Sequence, residues 1–272
     1  IVLKGEALAN RYYEQPYLRT RSDIDLLFEN KDHAEKAWTI LESRGYSRKL
    51  TLDGKFVGFQ FACSKVVPGG SQINLDIHNK LNDYLWIANK FSFEEVSDDF
   101  VLLTYGKQTI KTPNAVFLLI HACLHRINNR PIHLEDRLIW LYDIHLVCNS
   151  LGQTDWETLI KLSKEKNIVA FISDGVLRAR EAFNTAIAQQ ILDELKSTAI
   201  GGKNALGMSR KRAVLYLQDF LLLKGIGNKI RFIREHLLPS RQYMRKKYPH
   251  AKDWNLPFYY MKRPFEGMKK YL

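Results

Sequence analysis

Short runs among the first hundred residues alternate apolar with polar positions, which is the two-residue period of a β-strand. Residues 23–28, 55–62 and 72–78 predict three strands, and Pro68-Gly69-Gly70 predicts the turn of an antiparallel pair between the last two. Residues 1–3 resemble the end of a further buried strand. The pattern predicts a small mixed sheet in this part of the chain.

Helical periods lie between these strands. Gly5 predicts a turn that leads into a helix over 6–13. Asn30 or Asp32 is the expected N-cap of a helix over 33–44, which Gly45 ends where a left-handed residue is favoured. The first part of the chain is therefore predicted to carry helices packed on its sheet.

From Pro113 onward the pattern becomes entirely helical. Pro113 suits a first helical turn, and residues 115–127 are apolar on nearly every side, which predicts a buried helix. The fold class predicted is α+β, with a mixed sheet and helices followed by an all-helical C-terminal part. Further helices are expected at about 135–149, 155–165, 168–184, 188–198, 209–223 and 227–237.

Composition changes near residues 112 and 201 divide the chain into three predicted segments. These are an α+β domain over 1–111, a helical domain over 112–200 and a basic helical tail over 201–272, with Gly201-Gly202 as the expected hinge. The whole chain carries a net charge of +12, and residues 201–272 alone hold 17 Lys and Arg against four acids. The basic excess therefore lies entirely in the last quarter.

Such a basic segment has two open interpretations. It contacts RNA, an anionic membrane surface or an acidic partner, or it is a solvated helical face that keeps the protein soluble. Apolar runs are shorter than the roughly 20 residues of a membrane-spanning helix, and no signal peptide opens the chain, so a cytoplasmic location is expected. The three cysteines lack metal-ligand spacing and are expected to be reduced, buried thiols.

Three aspartates carry the strongest chemical signal. On a strand, side chains at i and i+2 share a face, so Asp23 and Asp25 are expected to present neighbouring carboxylates. Asp76 occupies one face of the strand over 72–78 together with Asn74 and His78. Close carboxylates repel each other unless a cation lies between them, and hard divalent ions take oxygen ligands. The alternative is that these are solvated acids on an exposed strand face.

The segments 3–7, 18–27 and 75–78 together resemble the nucleotidyltransferase superfamily, which includes DNA polymerase beta, and most closely a bacterial family labelled uncharacterised nucleotidyltransferase. Segments around His121 and Asp143 are similar to the helical half of that family, so the resemblance covers roughly residues 1–150. It implies a catalytic domain over 1–111, with the helices of 112–200 on the substrate side.

The resemblance implies transfer of a nucleoside monophosphate from an NTP such as ATP to an unidentified acceptor hydroxyl, with release of pyrophosphate. Asp23, Asp25 and Asp76 would hold two Mg²⁺ ions. A glycine in the turn lets backbone N–H groups approach a triphosphate near a helix N-terminus. The nucleotide-binding positions that it implies are Lys4, Gly5, Arg19, Arg21 and Ser22.

The chain departs from the superfamily at Glu6, where a serine or glycine is usual, and an acid facing inward would repel a triphosphate. Arg19 and Arg21 can offset this charge by reaching phosphate oxygens. The departure keeps a second function open. In that alternative the protein retains the fold without turnover and uses its basic tail to hold RNA or an anionic surface.

Four more polar residues have both functional and structural interpretations. His121 and His125 share a helix face and, with Asp143, either form a second metal site, line the cleft, or are buried and hydrogen-bonded. His78 either orients Asp76 or contacts substrate. Asp143 either activates an acceptor hydroxyl or forms a structural hydrogen bond with His125.

Overall fold

The computed structural model of the chain describes residues 1–200, 209 and 211–269. It is α+β, as predicted, with a four-stranded mixed sheet in the order β1-β4-β3-β2. Strand β1 is parallel to β4, whereas β3 is antiparallel to both β4 and β2. The strands are β1 (Ile24–Leu27), β2 (Ser47–Arg48), β3 (Gln60–Val66) and β4 (Gln72–His78).

The predicted antiparallel pair is present, but β3 begins at Gln60 rather than near 55. The backbone N–H groups of Lys55 and Phe56 donate to the Glu235 carboxylate at 3.0 and 2.8 Å, so they are not available to a neighbouring strand. Gly58 has φ +72, and the Leu52 carbonyl oxygen lies 2.2 Å from where its Cβ would be. The chain therefore enters the sheet only after this glycine turn.

Residues 1–3 lie beside β1, as the sequence suggests, although they form a single bridge rather than a full strand. Val2 bridges to Leu26, and Leu3 N–H donates to the Asp25 carbonyl at 2.9 Å. Helix α1 (Lys4–Tyr12) follows at once, two residues before the predicted start. Asn30 caps helix α2 (Lys31–Ser43) by accepting from the N–H of His33.

Residues 79–112 contain elements that the sequence pattern did not predict. Two short helices, α3 (Leu85–Ala88) and α4 (Phe93–Ser97), precede a hairpin of β5 (Val101–Tyr105) and β6 (Gln108–Thr112). The hairpin lies against the start of the chain, because Val2 N–H donates to the Lys111 carbonyl at 2.8 Å.

The helical half packs around α5 (Ala115–Asn128), whose core side chains Leu119 and Ile120 have no exposed surface. Its apolar surface meets α1 on one side and later helices on the other, which joins the two halves of the chain in one core. No helix of the described residues is both long and apolar enough to cross a membrane. The later helices are α6 (Leu138–Ser150), α7 (Gln153–Glu165), α8 (Val169–Phe183) and α9 (Gln189–Ile200).

The basic segment contributes helices that pack on the α+β part of the chain. Asp219 is buried and accepts the N–H groups of Leu85 and Trp86 at 3.1 and 2.8 Å, which satisfies the N-terminal end of α3. Phe232 joins an apolar cluster with Phe56, and such a burial stabilises by about 1.5–3 kcal/mol. The expected hinge Gly201-Gly202 lies outside the described residues. The helices are α10 (Arg212–Leu222), α11 (Ile226–Leu237), α12 (Arg241–Lys247) and α13 (Leu256–Lys269).

Candidate functional site

A cavity of about 690 Å³ lies where the sheet meets the helical half. Its walls are the start of α1, the paired strands β1 and β4, and helices α5 and α6. Helix α10 adds a wall from the basic segment. All twelve site residues proposed from the sequence line it. They are Lys4, Gly5, Arg19, Arg21, Ser22, Asp23, Asp25, Asp76, His78, His121, His125 and Asp143.

The parallel pairing of β1 and β4 brings two of the aspartates together. Asp25 and Asp76 are direct register partners, so their side chains leave the sheet on the same face. Ligand atoms of Asp25, Asp76 and His78 all lie within 4.8 Å of one another. Two carboxylates and an imidazole are a donor set that fits a divalent cation, with the oxygen ligands suited to Mg²⁺ or Mn²⁺.

Asp25 is the more deeply buried of the two carboxylates in this cluster. Its Oδ1 accepts from the Lys4 ammonium at 2.7 Å and lies 2.9 Å from His78 Nε2. Burial raises the pKa of the Asp25 carboxyl, but the hydrogen bond with His78 and the Lys4 charge hold it well below its usual range. His78 therefore orients Asp25, rather than Asp76 as the sequence suggested. The Lys4 ammonium marks this oxygen as a position that favours a cation.

Asp76 is in the opposite electrostatic situation. Burial, followed by the nearby Asp25 carboxylate, raises its pKa above the usual value. Asp23 adds negative charge from the same side of the cavity. However, Asp23 precedes β1 instead of lying on it, and it stands outside the three-residue cluster found among the described residues. Its part in metal binding remains a prediction.

Lys4 and Gly5 form the first turn of α1, rather than a turn that precedes the helix, and we call this the glycine turn. Lys4 has φ +45, which is unusual for a residue with a side chain and aims the ammonium at Asp25. A Cβ on Gly5 would make only ordinary contacts, 3.5 Å to Arg21 and 3.7 Å to Arg19. Protein packing therefore does not require glycine at this position. The missing side chain leaves the backbone open to the cavity.

Glu6 is held inside the protein and forms no part of the cavity wall. It is buried, and its carboxylate pairs with the guanidinium of Arg21 and accepts from Asn10 at 3.0 Å. Glu6 is not among the residues that line the cavity. The acid at position 6 is therefore no longer an argument for an inactive binding protein. Arg21 is paired with Glu6 instead of being free to contact phosphate.

Arg19 forms a buried ion pair across the cavity. Its Nε and terminal nitrogen bind the two oxygens of Asp143 at 2.8 and 2.7 Å, and the Tyr13 hydroxyl donates to the same carboxylate at 2.7 Å. The donors found on Asp143 among the described residues are therefore Arg19 and Tyr13, and not His125 as one interpretation of the sequence expected. A general base with both oxygens so engaged is a poor proton acceptor.

The two histidines of α5 lie next to one another on the cavity wall. His121 is buried, and the His125 ring packs edge-on against Trp140 with centroids 4.7 Å apart. Burial lowers the pKa of His121 well below its usual value and that of His125 to about 3, so both are neutral at pH 7. Among the described residues they do not join Asp143 in a metal-ligand cluster.

Helix α10 reaches the cavity without any local sequence signal. Arg212 and Tyr216 come from α10, and Tyr216 contacts Tyr84 edge-on with ring centroids 6.3 Å apart. Ser22 belongs to the loop before β1, where its carbonyl accepts from the Asn74 side chain at 2.9 Å. The basic segment thus contributes a wall of the site.

Comparison with known proteins identifies a family for the part of the chain that forms most of this cavity. A comparison with curated proteins found no match. A family model described as "uncharacterised nucleotidyltransferase" matches residues 1–184, which include the carboxylate cluster, the glycine turn and both histidines. Because that match covers most of the chain, this protein belongs to the uncharacterised nucleotidyltransferase family.

Proposed function

We propose that this protein is a metal-dependent nucleotidyltransferase that moves a nucleoside monophosphate from an NTP to an acceptor hydroxyl and releases pyrophosphate. The observation that carries the proposal is the Asp25–Asp76 register pair beside His78 and the glycine turn at one cavity. Family membership supports nucleotidyl transfer in general. The domain division at about 111 and 200 is part of the same proposal.

In this proposal Asp25 and Asp76, assisted by Asp23, hold up to two Mg²⁺ ions. A bound divalent cation would neutralise phosphate charge and lower the pKa of an acceptor hydroxyl. Asp76 has the more exposed carboxylate of the strand pair and faces the acceptor side, whereas Asp25 is fixed by His78. The open backbone at Gly5 binds the triphosphate at the N-terminal end of α1.

The side chains of the helical half complete the acceptor side of the cavity. His121 and His125 are neutral, so they offer hydrogen bonds to an acceptor without adding charge. Asp143 fixes Arg19 at the edge between the two halves, with one terminal nitrogen of Arg19 donating to the Thr20 carbonyl. These residues position substrates and exclude water from the reacting groups.

The direct test is incubation of the protein and Mg²⁺ with each NTP labelled at the α-phosphate, in the presence of cell extract. We expect label from at least one NTP to become attached to a component of the extract, with equal release of pyrophosphate. Omitting the metal should stop the transfer. If no NTP gives labelled product and none binds by calorimetry, the proposed activity is wrong.

We predict that Lys4 competes with the metal in the unliganded protein and moves to a phosphate oxygen when the nucleotide binds. Lys4→Met removes the ammonium that lies 2.7 Å from Asp25. Mn²⁺ affinity without nucleotide should therefore rise by about tenfold, equivalent to about 1.4 kcal/mol. NTP affinity should fall by a similar factor, because a phosphate contact is lost.

Titration calorimetry with Mn²⁺ alone, and then with NTP, measures both effects. Lys31→Met is the matched control, because Lys31 forms an exposed ion pair with Asp53 and does not line the cavity. We expect the control to bind Mn²⁺ as the wild type does. Unchanged or weaker Mn²⁺ binding in Lys4→Met would show that the ammonium does not occupy the metal position.

A further inference from the structure

The outer face of α11 carries a continuous row of large aliphatic side chains. Ile226, Ile230, Ile233 and Leu237 follow the spacing i, i+4, i+7 and i+11, which places them on one side of a helix. Between 44% and 74% of each side chain is exposed. Phe232, which is buried in the apolar cluster against the first domain, lies on the opposite side. The row is therefore not part of the core.

Helix α13 repeats this spacing with larger side chains. Phe258, Met261 and Phe265 follow the spacing i, i+3 and i+7 on the helix, Trp254 lies in the turn just before it, and 62–79% of each is exposed. The inward side of this helix is fixed by Tyr260, whose hydroxyl donates to the Pro239 carbonyl at 2.9 Å. We name the two rows on α11 and α13 the apolar stripes.

The surface around the apolar stripes is strongly basic. Residues 211–269 contain 14 Lys and Arg and four acids. Two of those acids, Asp219 and Glu235, are buried and accept backbone N–H groups, so they add little negative charge to the surface. The other two are ion-paired: Asp253 lies 2.8 Å from Arg241, and Glu266 lies 3.4 Å from Lys262.

We propose that the apolar stripes bind the surface of an anionic lipid bilayer, with α11 and α13 lying in the plane of the interface. Helices that combine an apolar face with Lys and Arg on the flanks bind at the boundary between headgroups and acyl chains. Here the stripes supply the apolar faces, and the surrounding cations are complementary to anionic headgroups. Aromatic side chains such as Trp254 favour the same layer.

RNA fits this surface less well. Single-stranded nucleic acid is held by cations and by aromatic rings on which bases stack. The stripe on α13 has three exposed rings, but the stripe on α11 is wholly aliphatic and has none for stacking. Four adjacent aliphatic side chains gain from an apolar environment, which a phosphate backbone does not provide. The inference concerns a surface separate from the nucleotide cavity and does not depend on the proposed activity.

Vesicle co-sedimentation of the whole chain tests the proposal. We compare phosphatidylcholine vesicles with vesicles that contain about 30% phosphatidylglycerol, at about 0.1 M and about 0.5 M salt. The double substitution Ile230→Gln/Phe258→Gln removes one side chain from each stripe without changing charge. Ile40→Gln/Leu138→Gln is the matched control, since those side chains are 62% and 67% exposed elsewhere on the protein.

Wild type and control should bind the anionic vesicles, and binding should weaken at the higher salt. The stripe variant should bind at least about tenfold more weakly, while its circular dichroism spectrum and melting temperature match those of the control. Brominated lipids should quench the fluorescence of wild type, and Trp254→Phe should remove most of that quenching.

Equal binding by the stripe variant and the control would overturn the proposal, as would wild-type binding without preference for anionic lipid. Two further measurements test the alternative partners of the apolar stripes. Sedimentation velocity tests for a second copy of the chain, and a tRNA-binding assay tests for nucleic acid. If the chain forms a dimer that Ile230→Gln/Phe258→Gln dissociates, the stripes bind a second copy. If the variant loses tRNA binding and retains vesicle binding, the surface belongs to nucleic acid. Either result would overturn the membrane assignment.

Discussion

Asp76→Asn is expected to lower nucleotide transfer by on the order of 10³-fold, because it removes a metal-ligand charge that stabilises the transition state by about 4 kcal/mol. The substitution barely changes the volume of the side chain. Single-turnover transfer from labelled NTP, with wild type and variant at equal concentration, measures the loss. The same variant should keep most of its NTP affinity, since Asp25 and the glycine turn remain.

Stability should change in the opposite direction from activity. The pKa of Asp76 is raised by burial and by Asp25, so its charged form destabilises the folded protein at neutral pH. For a carboxyl whose pKa is raised in the folded state, this destabilisation is complete above the folded pKa. It disappears as pH falls to the pKa of the unfolded state. Replacing the carboxyl with a neutral amide removes the penalty. The midpoint of urea unfolding for Asp76→Asn should therefore equal or exceed that of wild type at pH 7.

Asp193→Asn serves as the control, because Asp193 is exposed on α9 and does not line the cavity. It should retain wild-type transfer. If Asp76→Asn also retains transfer, the carboxylate cluster is not the metal site. If its activity and its stability fall together, the loss of activity reflects misfolding, and Asp76→Glu then separates the two effects.

Local sequence patterns predicted the parts of this site that depend on strand geometry. The alternation of β1 and β4 placed Asp25 and Asp76 outward from the core, and the structure sets them side by side. Asp23 lines the same cavity, but β1 begins one residue after it, so the predicted strand was one residue too long at this end. Periodicity identifies which side of a strand a residue occupies but does not fix the residue at which the strand begins.

Local sequence patterns did not predict the polar contacts between distant parts of the chain. Asp219 and Glu235 are two of the four acids in the basic segment, and each accepts backbone N–H groups more than 130 residues away. Helix period shows that such residues share a face but does not show what that face meets. A carboxylate in an apolar surrounding that accepts two N–H groups leaves no local signature in composition or spacing.

The Arg19–Asp143 pair shows the same limit and also carries the largest expected effect on stability. These residues lie 124 positions apart and join the loop before β1 to α6 of the helical half. Both side chains are less than 10% exposed, so removing one partner leaves a buried charge without its counter-charge. The Tyr13 hydroxyl provides only a neutral hydrogen bond to Asp143 in compensation.

Arg19→Met should therefore lower the free energy of unfolding by about 3–5 kcal/mol. The double variant Arg19→Met/Asp143→Leu replaces the buried pair with two apolar side chains and should recover at least half of that loss, because no buried charge remains. Urea denaturation of wild type, both single variants and the double variant gives the coupling free energy. Arg178→Met is the control, since the Arg178–Glu181 pair is exposed and should contribute less than about 0.5 kcal/mol. Additive losses in the double variant would mean that the two halves are held together by the core around α5 and not by this pair.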